Sequence, residues 1–90
     1  MTVTLMIPAH IAWAQDKTCV WLVNEAENSV CALSGLEAAI WNWINLGYAY
    51  PRLVEMTAAY RAGSSAGAKR ELTGILHQWL AQGWLEEAHG

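Results

Sequence analysis

Thr18-Cys-Val-Trp-Leu-Val-Asn24, Glu25-Ala-Glu27, Asn28-Ser-Val-Cys-Ala-Leu33 and then Ser34-Gly-Leu-Glu37 decide the fold of this chain. Val20, Trp21, Leu22, Val23, Val30 and Leu33 are branched or large apolar residues, the types that pack on a pleated surface. Polar Asn24, Glu25, Glu27 and Asn28 separate the two runs where the chain must turn. The pattern predicts a hairpin. No Asn-Gly or Asp-Gly marks a two-residue loop, so a connection of about three to five residues is expected and the register stays open. Ser34-x-x-Glu37 is a capping-box pattern that predicts a helix opening at Ser34. Leu36, Ile40, Trp43 and Ile44 supply its apolar face and Gly47 its stop.

Working outward, Pro8 precedes Ala9-His-Ile-Ala-Trp-Ala14, a first strand whose opening proline removes an amide where it does least harm. Thr2-Val3-Thr4-Leu5 alternates. The N-terminal run lacks a basic residue before Lys17 and is broken by Pro8 and His10, so it reads as mature sequence rather than a signal peptide. On the other side, Pro51 suits the first turn of a second helix with a narrow stripe of Leu53, Val54, Thr57, Ala58 and Arg61. Ala62 to Gly67 reads as a small-residue loop, with Ser64 or Ser65 able to cap the next helix. That third helix is expected from about Ala68 to Gln82, its apolar face formed by Leu72, Ile75, Leu76, Trp79 and Leu80. Lys69 and Thr73 lie along one margin of that face, Glu71 and Gln78 along the other. Gly83 fits the helix end, and Trp84-Leu85 folds back apolar before a charged tail, Glu86-Glu87. The fold class is α+β, winged-helix-turn-helix-like: a three-stranded antiparallel sheet and then three helices, in the order β-β-β-α-α-α. Residues 1–90 are expected to form one domain.

Composition narrows the function. The chain is 54% hydrophobic and only 14% charged, below the usual quarter of charged residues. Such a chain has either a dense core or apolar surface for a partner. Six tryptophans and no phenylalanine sharpen the second option, since tryptophan is over-represented at binding hot spots, although most tryptophans in a domain this size serve the core. Net charge is −3, and Lys17, Arg52, Arg61, Lys69 and Arg70 are the whole basic inventory. That is too little to neutralise a phosphate backbone, so nucleic acid is not expected as a partner. No apolar run approaches a membrane span, and a cytoplasmic location with Cys19 and Cys31 as free thiols is expected. A bridge between them would require direct opposition across the hairpin.

No catalytic set is spaced for chemistry. His10, His77 and His89 are scattered, Asp16 is the sole aspartate, and the cysteines fall within strands. No metal ligands converge and no cofactor is implied. His77 sits on the polar side of the third helix as a solvated residue. The chain is therefore expected to be a binding protein and not an enzyme. A three-stranded sheet leaves at least one open edge, and an open edge is a template for strand addition. With the third helix packed across the gap, the strand leading into Ser34 would form one wall of a groove.

The order of residues is also familiar. An Ile7-Pro-Ala-His-Ile11 opening, the Val20-Trp-Leu-Val23 strand, Ser34-Gly-Leu-Glu-Ala-Ala-Ile-Trp41 and the closing Leu76-x-x-Trp79-Leu80-x-x-Gly83-Trp84-Leu85-Glu86 resemble the PqqD-like family, the RiPP recognition elements. The resemblance runs from about Ile7 to Glu86. It implies a non-catalytic domain that captures the leader of a ribosomally made precursor peptide by strand addition and presents it to a modifying enzyme. By position it nominates Ser29, Val30, Cys31, Ala32 and Leu33 on the strand and Lys69, Arg70, Leu72, Thr73 and Leu76 on the third helix as the peptide-binding residues. Lys69 and Arg70 would meet acidic leader residues or simply stand in solvent. Within the family the opening looks most like the stand-alone leader-binding partner of a split lasso-peptide protease. That implies a cysteine leader peptidase and an ATP-dependent cyclase or other modifying enzyme as companions, and a leader gripped through a tyrosine, a proline and apolar residues. The chain departs from the pyrroloquinoline-quinone protein of the family at Asn24-Glu25, where that protein carries a Pro-Glu pair. A monomer or a strand-swapped dimer fits the open edge. Two other readings remain: a winged-helix DNA-binder reading bases through Thr73, His77, Gln78 and Gln82, and a structural or interaction subunit of a larger synthetase.

Overall fold

The computed structural model describes residues 3–89. Met1 and Thr2, at the start of the run read as mature sequence, lie outside the described residues. The expected three-stranded antiparallel sheet is present, in the order β2 (Ile11–Gln15), β3 (Cys19–Asn24), β4 (Ser29–Ser34), and it is followed by α1 (Gly35–Asn45), α2 (Tyr50–Arg61) and α3 (Ser65–Gln82).

The alternation in β3 makes it the central strand. Val20, Leu22 and Asn24 point into the protein, at 1%, 0% and 2% exposure, while Trp21 faces outward. Burying Asn24 requires partners for its amide, and they come from the turn itself: its Oδ1 accepts from the Ala26 and Glu27 backbone amides at 3.0 and 3.1 Å. This Asx-type turn folds the Glu25–Asn28 connection, with Asn28 in the left-handed region at φ 58°. The turn fixes the register that the sequence left open: Asn24 faces Ser29, Leu22 faces Cys31 and Cys19 faces Ser34. The two cysteines are therefore not opposed, and both are free thiols.

The helices cover one face of this sheet. Leu36, Ile40, Trp41 and Ile44 of α1, Leu53 of α2, and Leu72, Leu76 and Trp79 of α3 join Val20, Leu22 and Leu33 in one core. Trp41 is fully buried and meets Trp13 of β2 and Trp79 of α3 edge to face, with ring centroids 6.5 and 5.6 Å away. Among the described residues its Nε1 has no hydrogen-bond partner. Trp84 and Leu85 fold back into the same core after Gly83 ends α3 in the left-handed conformation, as expected.

On α1 the fully buried tryptophan is Trp41, whereas Trp43, expected on the apolar face, is half-buried. Three further differences concern how elements begin and pair. First, the capping box does not form. Ser34 is still paired with Cys19 as the last residue of β4, its φ of −138° is extended, and its side chain makes no cap bond. Gly35 then takes φ 58° to swing the chain from strand into helix, a conformation that disfavours any residue with a Cβ. Second, α3 begins at Ser65 rather than near Ala68, because Ser64 caps it by accepting from the Gly67 amide at 3.1 Å; only Ala62 to Ser64 remain as the connection. Third, the charged tail is a strand: β5 (Glu86–His89) pairs antiparallel with β1 (Val3–Met6) in a separate two-stranded sheet.

The two serines make a paired test. Ser64→Ala should cost about 1 kcal/mol of stability, whereas Ser34→Ala should stay within about 0.5 kcal/mol because no cap bond is lost. Urea unfolding followed by tryptophan fluorescence checks both.

Candidate functional site

Strand β4 has β3 on one side and an open edge on the other. Its residues alternate between two surfaces. Ser29 and Cys31 are half-buried and Leu33 is buried on the helix side, while Val30 (64% exposed), Ala32 and Ser34 face outward. The outward surface continues across the sheet as Trp21, Val23, Ala12 and Ala14, which carry no charge. The open edge offers backbone donors and acceptors to an incoming strand, with half-buried Ser29 and Cys31 on its inward side and Leu33 already sealed in the core.

The helix side of the edge is bounded by α3, through the margin that carries Glu71 and Ile75. A cleft of about 340 Å³ lies there, between the Ser34–Glu37 corner and Tyr60, Arg61, Glu71 and Ile75. Its far wall is rigidly charged. Arg61 forms a two-pronged ion pair with Glu71, Nε to Oε1 at 3.2 Å and a terminal nitrogen to Oε2 at 3.0 Å, and its guanidinium lies 5.9 Å from the Tyr60 ring centroid. The hydrogen bond to Glu71, and then its charge, hold the Arg61 pKa above its ordinary value. Glu37 stands on the near wall, exposed and, among the described residues, without an ion-pair partner. Its field reaches the strand: burial first, and the Glu37 carboxylate second, push the Cys31 thiol up from its ordinary pKa.

A second cleft, of about 250 Å³, lies on the opposite margin of α3. Leu5, Leu76 and Leu80 make it apolar, and Tyr50, Thr73, His77 and Glu87 line the rest; the Tyr50 hydroxyl and Thr73 Oγ1 are hydrogen-bonded at 2.9 Å. It faces the β1–β5 pair.

The nominated residues therefore fall into distinct groups. Ser29, Val30, Cys31, Ala32 and Leu33 form the open edge together. Leu72 and Leu76 belong to the core, at 0% and 4% exposure. Thr73 is on the margin bonded to Tyr50, while Lys69 and Arg70 are exposed and line neither cleft. His77, Gln78 and Gln82 are exposed on α3. Glu37, Arg61, Glu71, Tyr60 and Ile75 were not nominated as binding residues, yet they surround the end of the open edge. The margin shared by Glu71 and Gln78 was visible in the sequence; that it faces β4 was not. Among the described residues no three histidines, cysteines or carboxylates are placed to hold a metal ion, and no helix is long and apolar enough to cross a membrane.

An open-edged three-stranded sheet backed by three helices is an architecture suited to holding a peptide as an added strand. The same fold is found in the solved structure of TbiB1 in complex with the TbiA(beta) leader peptide, with a TM-score of 0.86, 18% sequence identity, and coverage of 93% of this chain and 98% of that one. No protein-family model and no curated protein matches the chain.

The coupling between Glu37 and the open edge is measurable. In a Cys19→Ser background, the pH midpoint for iodoacetamide alkylation of Cys31 should lie above that of an unperturbed thiol. Glu37→Gln should move it down, since removing a negative charge eases thiolate formation. An unchanged midpoint would mean that burial alone sets the shift.

Proposed function

We propose that this chain is a non-catalytic recognition protein that binds the leader segment of a ribosomally synthesised precursor peptide as an added strand and presents it to a processing enzyme. The observation that carries this reading is the open β4 edge, whose Ser34 end shares a cleft with Glu71 and Ile75 of α3, in a fold shared with a protein solved in complex with a leader peptide. The leader lies along Ser29 to Leu33, with its inward side chains over Cys31 and Leu33 and against the Ile75 margin of α3. Leu72 and Leu76 act from beneath, setting the position of the helix. The family resemblance of the Ile7-Pro-Ala-His-Ile11 opening favours a lasso-peptide leader and a cysteine leader peptidase as the recipient, in the cytoplasm.

Strand addition has a particular energetic signature. Ordering an extended leader costs about 2–5 kcal/mol, so affinity rests on backbone hydrogen bonds plus a few apolar anchors, and the dependence on salt is shallow. Because a strand turns its amides alternately toward and away from its neighbour, only every second amide of the leader bonds to β4.

The test is a calorimetric titration with the leader of the precursor peptide encoded alongside the gene, intact and then N-methylated one residue at a time. One-to-one binding is expected, with N-methylation weakening it at alternate positions across about five residues. Equal tolerance of N-methylation at every position would contradict strand addition, and no binding to the folded protein would contradict leader capture.

A further inference from the structure

At the Ser34 end of β4 the backbone edge stops and the chain turns into α1, so a peptide laid on the edge runs on into the cleft between Glu37 and α3. The charges lining that cleft are Glu37, Arg61 and Glu71. Arg61 is already committed: both prongs of its guanidinium are bonded to Glu71, and the pair neutralises itself. Glu37, in the first turn of α1, is the charge left without an ion-pair partner among the described residues. It cannot serve the helix cap either, since the box with Ser34 is not formed.

The basic residues of α3 do not offset it. Lys69 and Arg70 line neither cleft, and among the described residues Arg61 is the one basic residue in the cleft lining. The cleft therefore presents a net negative charge in line with the path of the added strand. A cation on the peptide would meet Glu37 with Tyr60 and Ile75 beside it, able to cover the apolar stem of a long basic side chain. Glu37 is near enough to β4 for its charge to add, after burial, to the upward push on the Cys31 thiol.

We propose that the cleft enclosed by Glu37, Tyr60, Ile75 and the Arg61–Glu71 pair is a specificity subsite that takes one lysine or arginine side chain of the captured peptide, with Glu37 as the residue that selects it. This rests on the strand-addition reading and adds to it the sign of the recognised charge, opposite to the acidic leader that Lys69 and Arg70 suggested.

The probe is a displayed library of random dodecapeptides, selected separately on the wild-type protein and on Glu37→Lys, each shown to be folded by its thermal melt. On the wild type, enriched peptides should share an alternating apolar pattern with lysine or arginine at one fixed offset from it. On Glu37→Lys, aspartate or glutamate should replace the basic residue at that offset. For one enriched peptide, measured by fluorescence anisotropy, exchanging the basic residue for glutamine should weaken binding to the wild type roughly three- to tenfold and leave binding to Glu37→Gln unchanged. Should Glu37→Lys fail to fold, the Glu37→Gln comparison decides by itself. Apolar peptides enriched without a basic preference, or a preference that survives the loss of Glu37, would overturn the subsite while leaving strand capture standing. A wild-type protein that enriches no peptide on β4 would overturn both.

Discussion

The indole of Trp41 sets the spacing between the three-stranded sheet and α3. It lies edge-on to Trp13 of the sheet on one side and to Trp79 of α3 on the other, so the largest side chain available separates the sheet from the helix that crosses it. Edge-to-face aromatic contacts of this kind add about 0.5–1.5 kcal/mol each beyond the area they bury, and they fix an angle as well as a distance. The helix is thereby held through its Leu72–Leu76–Trp79 face while its Glu71–Ile75 margin stands off from β4. The gap beside the open edge is a consequence of how the core is filled.

In the proposed function the open edge receives the peptide, because the rest of the fold leaves it unpaired. β2 and β4 both flank β3, but only β4 runs directly into α1 and the cleft behind it. An exposed edge invites pairing with any extended chain. In the proposed function selectivity comes from what stands around the edge: half-buried Ser29 and Cys31 on its inward side and a charged corner at Glu37. The β1–β5 pair closes the opposite margin of α3, where Thr73 is tied to Tyr50 and the second cleft forms.

Much of this was legible in the sequence, for local reasons. The run of branched and large apolar residues from Val20 to Val23 marked a strand of the hairpin, and the Leu72–Ile75–Leu76–Trp79 spacing marked the crossing helix; that Asn24 belongs to the strand and is buried was not visible. What escaped was non-local or depended on a single residue. β1 and β5 are four residues each and pair across almost the entire chain; the Thr2-Val3-Thr4-Leu5 alternation hinted at β1 but named no partner, and the charged Glu86-Glu87 start of β5 gave no strand signal. The Ser34–Glu37 pattern matched a capping box, but register decided otherwise: pairing with Cys19 keeps Ser34 in the sheet, and Gly35 alone makes the turn. Periodicity sorted the margins of α3 into Lys69–Thr73 and Glu71–Gln78 without saying which neighbour each would face. The turn held by buried Asn24 sets the register of β4, and with it the side chains that reach the groove.

The central claim is that β4 receives a strand, and hydrogen exchange at its backbone amides tests this most directly. With the leader peptide bound, the β4 amides that point to the open edge should become protected, in alternation, while those already paired with β3 change little. Leader binding that leaves the outward amides of β4 exchanging as fast as before would contradict strand addition and place the peptide elsewhere on the protein.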